Sequence, residues 1–237
     1  MQDQHQDFLA AFVPPTRQTD GIATVAVVAG KGLSEVFTSL GANKIVHGGQ
    51  TMNPSTEELL AAVESVPSNR VILLPNNKNV VLTAAQVPAL STKNVRVIPT
   101  HTIPQGIASL MALNTEIDLD DNASAMTNAK DSVRTIEITR AVREARLNGL
   151  HISEGQIIGL LDGELVAAGE DSTQIVENLL DKARAAAGEV ITIFWGAAMD
   201  PVEVERTAGV VRAKYPDQQV DIVEGGQPHY HYIISVE

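Results

Sequence analysis

The chain has 237 residues, 17 basic against 29 acidic groups, a formal net charge of −12 and no cysteine. Disulfides, thiolate metal sites, iron–sulfur clusters and cysteine nucleophiles are therefore excluded, and a polyanion is a poor match for nucleic acid or an anionic membrane. Hydrophobic residues make up 44% and charged residues only 19%, the composition of a chain that folds around a core.

No apolar run reaches the roughly 18 residues of a membrane span. The start, MQDQHQDF, lacks the apolar stretch of a signal peptide. A cysteine-free chain of this kind is expected to be cytoplasmic. Charge is uneven: residues 1–120 carry 7 basic and 10 acidic groups (−3), and residues 121–237 carry 10 and 19 (−9). The expected organisation is a junction segment at 1–20, an α/β lobe at 21–120 and an α+β lobe at 121–237.

In the first lobe Thr24–Val28 (TVAVV) reads as a strand, followed by Gly30-Lys31-Gly32 and a helix over Leu33–Leu40. Lys44–Val46 is a second, shorter strand. The next helix starts near Ser55, because Ser55 and Glu58 have the spacing of a capping box. Val71–Leu74 and Val95–Ile98 are the third and fourth strands, with helices over Asn79–Ala85 and Gly106–Leu113. Four strand–helix units in series imply a parallel sheet with helices on both faces. The strands show no polar alternation, which fits burial on both sides.

The stretch TEIDLDDNASAMTNAKD, around 115–131, has no clear apolar period and reads as a connection between lobes. Beyond it, Arg134–Val142 alternates, with Ile136 and Ile138 on one face. A strand pair is expected around the turn at Asp162-Gly163. A helix over Ser172–Ala187 follows, with Ser172 as N-cap and Gly188 as its stop. Val190–Trp195 is a strand, and Asp200-Pro201 opens another helix. Val220–Val223 and Tyr230–Val236 complete the lobe. No aromatic residue lies between Phe37 and Phe194, so the first lobe needs an aliphatic core.

In the first lobe the unusual polar sequence follows the strands, and in a parallel sheet those loops share the carboxyl edge where ligands bind. Gln50, Asn53, Ser55, Asn76, Asn77, Lys78, Asn79, His101 and Gln105 form the candidate partner- or ligand-binding set. Amides and hydroxyls dominate it, and Lys78 is its one fixed charge. The plainer reading is that Asn, Gly and Pro shape turns and Ser55 only caps its helix. Gly30-x-Gly32 lacks the third glycine and the acidic partner of a dinucleotide fingerprint. No P-loop, nucleophile elbow or calcium loop is present. His47 and His101 both follow strands and are positioned to face each other, with no carboxylate beside either. His229 and His231 are two apart on one strand and share a face, short of the further ligands a metal needs. No catalytic set and no metal site are expected.

The strings GGQTMNPST, LPNNKN, PTHTIPQG and GGQPHYHYIISVE, in this order, resemble the C-terminal part of the large subunit of bacterial fatty acid kinases. Those proteins carry an N-terminal DhaL/DAK2-type, dihydroxyacetone-kinase-like domain. AVVAGKGLSEVFTSLGANKIVHGGQTMNPSTEELLAAV and AVREARLNGLHISEGQIIGLLDGELV are similar to it as well, and the opening MQDQHQDFLAAF resembles the preceding junction. The resemblance implies a two-lobed DegV-like fold. It places ATP and magnesium in an upstream kinase domain, with no cofactor in this chain. The partner it implies is a DegV-type fatty-acid-binding protein, whose bound carboxylate becomes an acyl phosphate for phospholipid synthesis. On that basis the chain is a piece of a longer protein or a stand-alone relative without the kinase.

The leading functional expectation is a non-catalytic docking module that engages the lipid-loaded carrier. The alternative is a small-ligand domain for a fatty acyl or phosphorylated molecule, which requires an enclosed apolar pocket lined by the first lobe. A third is an independent enzyme using His47 or His101 as acid–base group.

Overall fold

The computed structural model describes residues 19–48, 53–147 and 150–237. The first part alternates strands and helices: β1 (Thr19–Val28), α1 (Lys31–Ser39), β2 (Lys44–His47), α2 (Thr56–Ser65), β3 (Ser68–Leu74), α3 (Lys78–Ala84), α4 (Val87–Leu90), β4 (Asn94–Val97) and α5 (Ile103–Met111). Strands β1–β4 are parallel, in the order β2-β1-β3-β4. The β-branched runs predicted this sheet, although β1 begins earlier than its apolar run. The Ser55–Glu58 capping box forms in both directions, Glu58 N donating to Ser55 Oγ and Ser55 N to the Glu58 carboxylate.

Alternation sorts the sheet residues onto two faces. Val25, Val27, Val71, Leu73 and Val95 pack against Leu59 and Val63 of α2 and Val80 and Ala84 of α3. Ala26, Val28, Ile72 and Leu74 pack against Leu33 and Phe37 of α1 and Ile107 and Leu110 of α5. Burying one such side chain is worth about 1.5–3 kcal/mol, so both faces are firmly covered.

The acidic stretch expected to be an irregular connection is instead helix α6 (Leu119–Ser132), capped by Asp118, which accepts from Asp121 N. The 120/121 boundary falls in its first turn. Its buried face is Leu119, Asn122 and Met126. One of those three is polar, which hid the apolar period: Asn122 is fully buried and donates to the carbonyls of Asn114 and Asp118.

The second sheet has six strands: β5 (Arg134–Arg140), β8 (Ile157–Leu161), β9 (Glu164–Gly169), β10 (Val190–Trp195), β11 (Gln219–Glu224) and β12 (Tyr230–Val236), in the order β11-β10-β12-β5-β8-β9. Within it only β10 and β11 pair in parallel. A separate two-stranded ribbon, β6 (Ala145–Leu147) with β7 (Leu150–Ile152), packs through Ile152 against Ala141 and Leu165. Ile136, Ile138, Ile193 and Ile234 face α7 (Ser172–Lys182) and α8 (Pro201–Lys214). Phe194 and Ile233 point the other way, into the core shared with α1, α5 and the first sheet. One apolar core thus joins residues of both sheets.

Two helix ends depart from the sequence expectation. Asp171, not Ser172, caps α7 by accepting from Thr173 N. The helix stops at Lys182, Arg184 takes the left-handed conformation at φ 58°, and Ala185–Ala187 form a short 3-10 turn. With Arg184 already reversing the chain, Gly188 is not the left-handed stop. A Cβ there would lie 2.6 Å from the Glu237 carbonyl oxygen, so close packing requires the glycine. Asp200 caps α8 before Pro201, as the sequence predicts.

The seam between α1 and the second sheet is built from backbone. Leu33 N donates to Gly225 O. A Cβ on Gly30 would lie 2.5 Å from Gly225 O, and one on Gly32 would lie 1.7 Å from Glu224 O. Gly30-Lys31-Gly32 is therefore a seating surface for the 224–227 loop.

Candidate functional site

In an open sheet of order 2-1-3-4 the strand order reverses between β1 and β3, and ligands of such sheets bind outside the carboxyl ends at that point. A small cleft lies there. Val27 and Ala29 from the end of β1, and Pro75, Asn76 and Asn77 after β3, form one side. Glu137 of β5, Gln227, Pro228, His229 and Tyr230 close it from the second sheet, with His101 and Ile103 at the edge. The water-accessible space is about 50 Å³, against roughly 300–1,000 Å³ for a usual small-molecule pocket. Among the described residues the larger depressions, of about 440–590 Å³, lie on the open surface.

Most of the candidate loop residues carry local structure. Asn76 is buried and left-handed at φ 52°. Its Nδ2 donates to Val27 O (3.1 Å), its Oδ1 accepts from Thr100 Oγ1 (2.8 Å), and its backbone N donates to Thr100 Oγ1 (3.0 Å). A Cβ on Gly106 would sit 2.1 Å from that Oδ1, so α5 packs directly on this amide. Asn77 caps α3 by accepting from Asn79 N. Gln105 accepts from His101 N, and its own N donates to Thr102 Oγ1. Asn53, Ser55, Lys78 and Asn79 are exposed. Gln50 lies outside the described residues. Asn76→Ala is expected to lower stability by about 2 kcal/mol in urea unfolding, because two buried partners lose their bonds. A purely surface role for Asn76 predicts no change.

The two histidine expectations are corrected. His47 ends β2 and His101 comes after β4, and these strands are opposite edges of the first sheet. Three strand spacings put those edges about 14 Å apart. His47 lines a shallow depression with Lys31, Ser34 and Thr38 of α1, while His101 lines the cleft. Burial, then Lys130 and Lys78, hold His101 below the usual histidine range, against a smaller opposing effect of Asp131. His229 and His231 do not share a face either. The register shifts between Tyr230, opposite Thr139, and Tyr232, opposite Ile138, leaving His231 as an extra residue. His229, at φ 69°, lines the cleft, and His231 lines an open depression with Arg140, Glu203 and Arg206. Among the described residues no three His, Asp or Glu side chains are grouped to hold a metal.

Sequence reasoning passed over two residues of the cleft. Glu137 lies between Ile136 and Ile138, so the pleat turns it toward the first sheet. Burial pushes its carboxyl up to about 7; a hydrogen bond with Tyr230 opposes this and the Asp162 charge adds to it. Gln227 is 2% exposed and donates from Nε2 to Phe194 O at 2.9 Å. Its Oε1 has no hydrogen-bond partner among the described residues. The available signals were a lone Glu at an inner strand position and the repeated Gly-Gly-Gln string. Neither shows which face of the second sheet meets the first.

Among the described residues no helix is long and apolar enough to cross a membrane. A family model for the C-terminal region of FakA-like fatty acid kinase proteins matches residues 23–237. Protein YloV of Bacillus subtilis (strain 168) is 34% identical over 244 residues, covering 100% of this chain and 44% of that protein. The chain thus spans less than half the length of this curated relative. Among solved structures, a DegV family protein from Corynebacterium glutamicum matches at TM-score 0.67 and 15% identity, over 91% of this chain and 96% of that one. The fatty acid kinase (Fak) B3 protein of Streptococcus pneumoniae, solved loaded with linoleic acid, matches at TM-score 0.56 and 14% identity, over 78% and 76%. At such identities these structures speak to the fold, which is the DegV-like α/β arrangement the sequence implied.

Proposed function

The chain belongs to the FakA-like C-terminal family of fatty acid kinase proteins, and from that premise we propose that it is a non-catalytic docking module. It engages a DegV-type fatty-acid-binding protein, so that an upstream ATP- and magnesium-binding domain phosphorylates the presented carboxylate. The size of the cleft carries this reading. A DegV-like relative is described with linoleic acid bound, yet here the switch-point cleft offers only about 50 Å³. Asn76, Gln227 and Tyr230 line that space. A domain of this shape whose switch-point cleft is so small works through its surface, and linkage to a kinase raises the effective concentration of the two reacting groups.

Asn53, Lys78 and Asn79 are exposed residues of the carboxyl-edge loops and form the proposed contact surface. Calorimetric titration of this chain with the fatty-acid-loaded DegV-type protein of its own organism tests the reading. Lys78→Glu is expected to weaken binding roughly fivefold or more. Equal affinity of the wild type, Lys78→Glu and Asn79→Ala removes these loops from the interface. No heat with the wild type removes the docking reading itself.

A further inference from the structure

The cleft has an imbalance in its hydrogen-bonding groups. Gln227 Oε1 is buried without a partner among the described residues, and its orientation is fixed because Nε2 must face the Phe194 carbonyl. Glu137 stands on the same cleft, and none of the ion pairs among the described residues includes it. Among the described residues no Lys or Arg lines the space. Tyr230 bonds Glu137, and burial favours the neutral form of His101. The walls beside these acceptors are apolar: Val27, Leu33, Ile103 and Ile233.

An acceptor with no donor among the described residues, beside a carboxylate with no cation among them, selects one ligand chemistry. We propose that the cleft is a binding site for a single primary ammonium group, which donates to Gln227 Oε1 and the Glu137 carboxylate while its carbon stem lies along Val27 and Leu33. An ammonium has three N–H donors and no acceptor, and about 50 Å³ suits such a head with a short stem. A buried water satisfies Gln227 but brings no charge to Glu137. The net charge of −12 favours the approach of cations. Lys78 and Lys130 act on His101 and oppose a cation from outside the cleft.

Protons compete with the ammonium for Glu137. The groups that act on this carboxyl are Tyr230 of β12 and Asp162, which Arg134 holds at 2.6 Å, and His229 and His101 line the same cleft. With Glu137 titrating at about 7, affinity at pH 6 is expected to be about tenfold lower than well above pH 7.

The test is a nuclear magnetic resonance titration at pH 8 and pH 6, following the ring signals of His101 and His229 and the Glu137 carboxyl. Ethylammonium chloride is compared with sodium chloride and tetramethylammonium chloride at equal ionic strength. Saturable shifts with ethylammonium alone, weaker at pH 6, are the expected result. Gln227→Leu is expected to weaken binding about tenfold, and Glu137→Gln to abolish it. Nα-acetyl-lysine methylamide binding much more tightly than ethylammonium assigns the group to a protein lysine; equal binding assigns it to free amines. Equal responses to all three salts, or no loss at pH 6, overturn the site on the wild type alone, whatever the variants do.

Discussion

Gly32→Ala is expected to lower the unfolding free energy by about 3 kcal/mol, read as a fall in the urea midpoint at unchanged slope. The direction runs against helix propensity. Gly32 sits in the first turn of α1, and alanine normally improves a helix by up to about 1 kcal/mol over glycine. Here the added Cβ would lie 1.7 Å from Glu224 O and 2.8 Å from its carbonyl carbon. Both atoms are backbone at the end of β11 and cannot swing aside as a side-chain tip would. Relief requires α1 to back away from the second sheet, which loosens Leu33 and Phe37 in the shared core and strains the Leu33 N to Gly225 O bond. The clash outweighs the propensity gain, so the net sign is destabilising. An unchanged or raised midpoint means that the seam yields, and that the two sheets are joined less rigidly than this packing requires.

The second large effect is a pH dependence carried by Glu137. Its carboxyl titrates at about 7 in the folded chain, above the ordinary 4.5, chiefly because burial penalises the charged form. Between those values the native state binds more protons than the unfolded state. The contribution is therefore fully present below about pH 4.5 and is lost as pH rises through 7. Over that window the loss is of order 3 kcal/mol. Glu137→Gln keeps a polar group of the same size and removes the titration. Unfolding curves at pH 5 and pH 8 are expected to differ much less for the variant than for the wild type, with the variant more stable at pH 8. Parallel pH profiles for the two proteins mean that solvent reaches the carboxylate, and that Glu137 is not the enclosed group this cleft requires.

Local chemistry was readable wherever one short segment carries its own reason. The capping box at Ser55 and Glu58 and the Asp200-Pro201 start of α8 involve neighbours in the chain, so residue type and spacing suffice. The parallel strands were readable because both of their faces are buried, which leaves a run of β-branched residues. The long matched strings carried the family. At the site the same reasoning had less to work with. Asn76 and Asn77 were singled out as amides at a sheet edge, and the structure shows what those amides hold: Val27 O and Thr100 for one, the start of α3 for the other. The acidic segment at 119–132 concealed a helix because Asn122 stands where an apolar residue was sought.

By itself the sequence determined the strand–helix series of the first lobe, the helix starts at Ser55 and Asp200, and the family. Tertiary structure decided the strand order that puts β2 and β4 at opposite edges and separates His47 from His101. It decided the bulge that parts His229 from His231, the glycine seam at Gly30 and Gly32, and the inward face of Glu137. The reason is range. Caps and periodicity arise from bonds a few residues apart, which composition and spacing encode directly. A cleft between two sheets is made by surfaces roughly 35 to 200 residues apart in the chain, and its polarity exists only once those surfaces meet.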